Sequence, residues 1–146
     1  MGGDCLGDPA YLAMSTPPIT APSTARLWEA SRLMYEAGVG SVIVVDASGR
    51  VAGILTARDV LRLLATGVAA RNPPLSDVMS LNVVTASPEE PLSAIADRMR
   101  EAGVRHVPIV DAEGRPVGIV SQTDLLRHLV ECLRERRDGP RGPRTT

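Results

Sequence analysis

The chain has 146 residues, of which 44% are hydrophobic and 23% charged, a composition that excludes a disordered polymer and suits one domain or two small, dependent units. Its net charge of -1 gives no overall attraction to nucleic acid or anionic lipid, and an aromatic content of 2% leaves few platforms for stacking bases. No apolar run reaches the roughly 18 residues of a membrane span, so we expect a soluble, cytoplasmic protein with neither a membrane nor a nucleic-acid partner.

Residues 1–13 form a lead-in segment that contains Cys5, and the second cysteine, Cys132, lies near the other end of the chain. Neither belongs to a CxxC motif. This pattern predicts free thiols in a reducing compartment rather than a disulfide framework or a zinc site. His128, on the last predicted helix, is expected at the surface.

The sequence contains an internal repeat. Shifting it by 65 residues superposes residues 14–64 on residues 79–129 without a gap, and 22 of the 51 pairs are identical. We therefore divide the chain into repeat 1 (14–67), a linker (68–78) and repeat 2 (79–133). One unit of about 50 residues has too much surface to fold alone, so the repeats should share a core as one pseudo-two-fold body.

Each repeat is predicted as strand–helix–strand–strand–helix. In repeat 2 a short strand over residues 83–85 precedes a helix that opens at residues 87–90, with Ser87 as N-cap and Glu90 completing a capping box. Apolar residues at helical spacing lead to Gly103, which ends this helix as Gly38 does in repeat 1.

A Val- and Ile-rich hairpin follows in each repeat, with strands over 41–46 and 51–55 in the first and 106–111 and 116–120 in the second. A second helix starts at Thr56 or Ser121 and carries the apolar stripes of Leu61, Leu64, Leu125, Leu126 and Leu129. Residues 134–146, rich in Arg, Pro and Gly, are predicted to be a disordered tail, with a weak nucleic-acid-binding arm as the alternative.

The same tetrapeptide pattern follows the third strand of both repeats, as Thr-Ala-Arg-Asp over 56–59 and Ser-Gln-Thr-Asp over 121–124. A hydroxyl residue followed three positions later by an acid is a capping box, which requires no ligand. The same groups suit a nucleotide, because a hydroxyl and free amides at a helix start hold phosphate and a carboxylate accepts ribose hydroxyls.

Residues 103–111, Gly-Val-Arg-His-Val-Pro-Ile-Val-Asp, and the Gly-Ile-Val-Ser-x-x-Asp segment that follows resemble the CBS domain, named for cystathionine β-synthase. The resemblance covers residues 14–129 in two copies. It implies an α/β fold of two β-α-β-β-α repeats, a stand-alone tandem pair, and a flat homodimer built through helices. It also implies a regulatory role, with AMP, ADP or ATP in clefts between the repeats and any regulated output on a separate protein.

The resemblance assigns two sets of binding residues. The first cleft would be formed by Thr20, Ala21, Val39, Gly40, Ser41, Ser121 and Asp124. The second cleft would be formed by Thr85, Ala86, Val104, Arg105, His106, Thr56, Arg58 and Asp59. Since Arg58 and Arg105 occur only in the second set, we expect that cleft to prefer phosphorylated nucleotide. Repeat 1 departs from the family pattern at Ile43, where proline is usual.

Other functions remain open from the sequence. S-adenosylmethionine or a dinucleotide would use the same clefts, and an assembly module would dimerise without any ligand. We see no base–nucleophile pair, metal cluster or P-loop, so we predict no enzyme activity and no required cofactor. His106 either lines a cleft or caps a strand start.

Overall fold

The computed structural model describes residues 4–138. Repeat 1 contains β1 (Thr20–Pro22), α1 (Leu27–Ala37), β2 (Ser41–Val45), β3 (Val51–Thr56) and α2 (Ala57–Ala65). The short helix α3 (Leu75–Val78) lies between the repeats. Repeat 2 contains α4 (Leu92–Ala102), β4 (His106–Val110), β5 (Pro116–Ser121) and α5 (Gln122–Asp138). Single-turn 3-10 helices occur at Cys5–Gly7, Ala10–Leu12 and Val68–Arg71.

The first helix of each repeat forms where the periodicity predicts it. α1 buries Leu27 and Met34, and α4 buries their equivalents at the same spacing. Both helices end at a glycine with left-handed backbone, Gly38 at φ 66° and Gly103 at φ 68°, which a residue with a Cβ adopts only at a cost. The predicted helix ends are therefore confirmed.

The two sheets differ although the repeats are alike. In repeat 1, β1 runs parallel to β2, and β2 pairs antiparallel with β3. In repeat 2 only β4 and β5 pair, and the strand predicted over residues 83–85 is wrong, since one parallel bridge between Ala86 and Ile109 takes its place. The amide of Ile43 donates to the Ile19 carbonyl at 2.9 Å, whereas the equivalent Pro108 has no N–H to donate.

The predicted start of α4 is also wrong, because the helix begins at Leu92 and not at residues 87–90. The Glu90 carboxylate accepts from the Ser87 amide at 2.8 Å, but this bond closes a turn. Pro91 follows with an extended backbone, φ -70° and ψ 150°. A proline disfavours helical conformation at the residue before it, so Glu90 cannot belong to the helix.

Each repeat completes the core of the other. Ser15 pairs antiparallel with Ile119, and its equivalent Ser80 pairs with Ile54. This pairing between the repeats places Met14 against Gly118, where a Cβ on the glycine would lie 2.6 Å from the methionine sulfur. The shared core therefore takes the form of two apolar clusters, each of which includes one methionine from the other repeat.

The lead-in segment is fixed to the last helix by a disulfide between Cys5 and Cys132, whose Cα atoms are 6.0 Å apart. Our prediction of free thiols is wrong, because the fold brings together two cysteines separated by 127 residues. Asp8 and His128 add a contact of 2.8 Å between Oδ2 and Nε2. His128 is 16% exposed, so its predicted surface position is also wrong. The cytoplasmic expectation loses the support it drew from free thiols.

Helix α5 runs to Asp138 and so takes in the first five residues of the predicted disordered tail. Residues 134–138 include no glycine or proline and consist mainly of good helix formers, so nothing stops the helix before Gly139. Residues 139–146 of that prediction lie outside the described residues. None of the helices within residues 4–138 combines the length and apolar character needed to cross a membrane.

Candidate functional site

A cavity of about 540 Å³ opens between the two repeats. One wall comes from the end of β3 and the start of α2 in repeat 1, and the other comes from the turn that leads into β4 in repeat 2. Its lining comprises Gly40, Ile54, Thr56, Ala57, Arg58, Asp59, Ser80, Asn82, Gly103, Val104, Arg105 and His106. Six of the eight residues assigned to the second cleft therefore meet in one cavity.

Thr56 and Asp59 hold the repeat 1 wall in place. The Thr56 amide donates to Oδ2 of Asp59 at 2.9 Å, and the Asp59 amide donates to Oγ1 of Thr56 at 3.1 Å. The capping box thus forms as the sequence predicts. Among residues 4–138, Oδ1 of Asp59 accepts a hydrogen bond from the guanidinium of Arg62 alone, at 3.3 Å, and the Arg62 side chain is 55% exposed. One carboxylate oxygen consequently remains within reach of a ligand.

Positive charge faces this carboxylate from both repeats. Arg58 and Arg105 are exposed at the cavity, and neither guanidinium has an ion-pair partner among residues 4–138. Burial lowers the pKa of His106 below its ordinary 6.5, with Arg105 acting in the same direction and the carboxylates of Asp124 and Asp59 opposing it. A neutral imidazole and two free guanidinium groups make the cavity receptive to an anion.

Two polar residues assigned to the first cleft are buried. Asp124 and Ser41 are each 6% exposed, and Oδ1 of Asp124 accepts the Ser15 hydroxyl at 3.0 Å and the Arg127 guanidinium at 3.2 Å. Oδ2 of Asp124 accepts the Ser121 amide at 2.8 Å. The carboxylate of Asp124 is thus already bonded within the protein.

The remaining assigned residues lie outside the 540 Å³ cavity, apart from Gly40, which lines it. Thr85 is exposed and its carbonyl accepts from Arg98. Ala86 and Ala21 are buried in strand pairings, and Thr20 lies exposed on the edge strand β1. Val39 lines a separate groove of about 350 Å³ between α1 and α2.

Sequence reasoning missed five of the cavity's lining residues, namely Ile54, Ala57, Ser80, Asn82 and Gly103. Ser80 was detectable in principle, because the Met-Ser dipeptide at 79–80 repeats that at 14–15. Its role depends on the exchange between repeats, since the Ser80 amide bonds the Ile54 carbonyl of the other repeat at 2.8 Å. No local pattern reveals such an exchange.

The CBS domain profile matches residues 8–66 and again residues 75–131. The chain therefore belongs to the CBS domain family, as its sequence motifs indicate, and it contains two copies of that domain.

Known proteins of this family are similar to the chain in sequence and in fold. The chain is 33% identical over 114 residues, 78% of its length, to L-aspartate semialdehyde sulfurtransferase from Methanocaldococcus jannaschii, but it spans only 22% of that enzyme. The CBS domain pair of protein MJ0100, in complex with 5′-methylthioadenosine and S-adenosyl-L-methionine, superposes with a TM-score of 0.77 at 31% identity over 84% of this chain and 96% of that one. CBS domain protein PAE2072 from Pyrobaculum aerophilum, complexed with AMP, superposes with a TM-score of 0.73 at 25% identity over 87% and 99%.

Proposed function

We propose that the chain is a regulatory module that binds a phosphorylated adenine nucleotide, AMP, ADP or ATP, in the cavity between its repeats. One observation carries the proposal: Asp59, Arg58 and Arg105 line the same cavity, and the two guanidinium groups have no ion-pair partner within residues 4–138. The adenosine ligands of the related CBS pairs support the ligand class.

Each part of the nucleotide finds a matching group. Oδ1 of Asp59 accepts a ribose hydroxyl, while Oδ2 keeps its bond to the Thr56 amide. Arg58 and Arg105 approach the phosphates from opposite repeats, and a guanidinium suits the planar, bidentate contact that phosphate oxygens offer. The base packs beside Val104 and Ile54, the aliphatic part of the lining.

A second candidate is S-adenosylmethionine, favoured by its presence on the related MJ0100 pair. That ligand carries a sulfonium, an ammonium and a carboxylate group, a net positive charge that two unpaired guanidinium groups favour less than the negative charge of a nucleotide phosphate. A dinucleotide such as NAD would place a pyrophosphate against the same arginines, so charge alone does not separate it from ATP.

We further propose that the protein acts as a homodimer and passes its signal to a separate protein. Apolar side chains on α2 and α5 face solvent in the single chain: Leu61 is 66% exposed, Leu64 61% and Leu126 62%. Such residues make a stripe that a second copy would cover. No catalytic step is assigned, so binding alone must alter the dimer or its partner.

The ligand class is tested by titration calorimetry on protein freed of co-purified nucleotide. The panel is AMP, ADP, ATP, S-adenosylmethionine and NAD. We expect saturable heat with at least one adenine nucleotide and no displacement of it by S-adenosylmethionine. Binding of S-adenosylmethionine alone would replace our ligand assignment with the second candidate. No binding to any of the five would instead leave an assembly module.

A further inference from the structure

We propose that Ser15 keeps the Asp124 cleft closed to a ribose, so that each chain holds one nucleotide, in the Asp59 cavity. The inference rests on the proposed function and names which of two related clefts is used. Because both aspartates are present, the sequence motifs alone allow two ligands per chain.

The carboxylate of Asp124 accepts three hydrogen bonds from within the protein. Its Oδ2 accepts the Ser121 amide at 2.8 Å, and its Oδ1 accepts both the Ser15 hydroxyl at 3.0 Å and the Arg127 guanidinium at 3.2 Å. The side chain is 7% exposed. At Oδ1 a ribose hydroxyl would have to displace Ser15, and a lost bond to a charged group is costly.

The Asp59 carboxylate is more exposed than that of Asp124 and accepts fewer hydrogen bonds from the protein. Its side chain is 19% exposed, and within the described residues 4–138 Arg62 is the only side chain bonded to its Oδ1. Ser80, the repeat equivalent of Ser15, forms no hydrogen bond with Asp59 among residues 4–138, and its hydroxyl oxygen accepts the Asn82 amide at 3.2 Å.

The difference between the two serines follows from one residue. Asn82 has Pro17 as its equivalent in repeat 1, since 82 minus 65 is 17. Proline carries no N–H, so Ser15 lacks the backbone donor that holds the hydroxyl of Ser80. The Ser15 hydroxyl donates to Asp124, 109 residues further along the chain.

The surroundings of Asp124 agree with a closed cleft. Ser41, another polar residue that the resemblance assigns there, is 6% exposed. Next to it, the imidazole of His106 occupies the space beside Gly40, with Nε2 only 3.1 Å from where a Cβ on that glycine would lie. His106 thus belongs to the lining of the Asp59 cavity while it narrows the approach from the Asp124 side.

The test is the stoichiometry of ATP binding by calorimetry in wild type, Ser15→Ala and Asp124→Asn, with Ser31→Ala as the control. Ser31 lies on α1, where its hydroxyl bonds only the Leu27 carbonyl of its own helix. We expect one site per chain in the wild type and the control, the same site with unchanged affinity in Asp124→Asn, and a second site in Ser15→Ala. Affinity at that second site should rise by about tenfold to a hundredfold, the equivalent of one hydrogen bond to a charged group.

Two sites of similar affinity in the wild type, or loss of binding in Asp124→Asn, would overturn the inference and leave the proposed function standing. If Ser15→Ala does not fold, the wild-type stoichiometry and Asp124→Asn still decide between the outcomes. A wild-type protein that binds no ATP would overturn the proposed function and this inference together.

Discussion

Thr56 and Asp59 cap each other at the first turn of α2 while both side chains face the cavity between the repeats. The capping box and the nucleotide site are therefore one set of atoms and not competing explanations. Oδ2 of Asp59 caps the helix by accepting the Thr56 amide, and Oδ1 is the oxygen proposed to accept a ribose hydroxyl. Any substitution at Asp59 must separate these two effects.

Two substitutions at Asp59 separate them. Asp59→Ala removes the acceptor of the Thr56 amide and should lower the free energy of unfolding by about 1 kcal/mol, the usual cost of a lost cap. Asp59→Asn keeps a carbonyl oxygen at that place and should lower it by less. Urea denaturation of the three proteins measures the difference. Equal stability of Asp59→Ala and wild type would mean that the capping bond contributes nothing.

The arginines should act on phosphate and not on adenosine. Arg105→Gln and Arg58→Gln should each weaken ATP binding by roughly tenfold, since a charge-assisted hydrogen bond contributes about 1.5–3 kcal/mol. Adenosine affinity should change little. Arg32→Gln is the control, because Arg32 is an exposed arginine on α1 outside the cavity lining and changes net charge equally. Equal losses for ATP and adenosine would contradict the proposed phosphate contacts.

His106 should make stability depend on pH. Burial lowers its pKa below 6.5 in the folded state, so between that lowered value and 6.5 the unfolded chain binds more protons. Stability should therefore fall as the pH drops from 7 through 6.5 and level off below the folded pKa. His106→Gln should remove this segment of the curve, measured by urea denaturation between pH 5 and 7.5 (roughly the histidine range). Identical slopes in both proteins would refute the assignment.

The disulfide should contribute measurably to stability. Replacing both Cys5 and Cys132 by serine should lower the free energy of unfolding by about 2–5 kcal/mol, because the bond closes a long loop in the unfolded chain. Dithiothreitol should lower the melting temperature of the wild type and leave the double variant unchanged. A wild type indifferent to reductant would show that the bond does not matter for the fold.

The exposed leucines of α2 and α5 should hold the dimer together. Leu61→Asp combined with Leu126→Asp should shift the protein from dimer to monomer in sedimentation analysis, because each aspartate places a charge in an apolar interface. Leu81→Asp is a matched control, since Leu81 is 75% exposed but lies on neither helix. A wild type that sediments as a monomer would end the dimer proposal.

The 65-residue repeat and the motifs within it were enough to predict the hairpins, the helix ends at Gly38 and Gly103, and the family. Failures came where one residue departs from its equivalent. Pro108 removes the amide that would have extended a strand over residues 83–85. The late start of α4 is different, because it is common to both repeats: α1 begins at Leu27, the equivalent of Leu92.

Long-range contacts were out of reach for a different reason. The Cys5–Cys132 bond and the Ser15–Asp124 bond join residues more than 100 positions apart, and no local pattern encodes either. The candidate site shows both limits. The sequence motifs predicted that Thr56, Asp59 and Arg105 line one cleft. The difference in exposure and hydrogen bonding between Asp59 and Asp124 depends on packing between the repeats, which the motifs do not reveal.

Calorimetric titration of ATP into the wild type and Asp59→Asn, at matched protein concentration and free of bound nucleotide, tests whether the nucleotide binds at Asp59. Saturable binding to the wild type, weakened by roughly tenfold or more in a variant that remains folded at the temperature of the titration, is the result we predict. ATP binding of equal strength in both proteins would contradict the account, because the nucleotide would then lie away from Asp59.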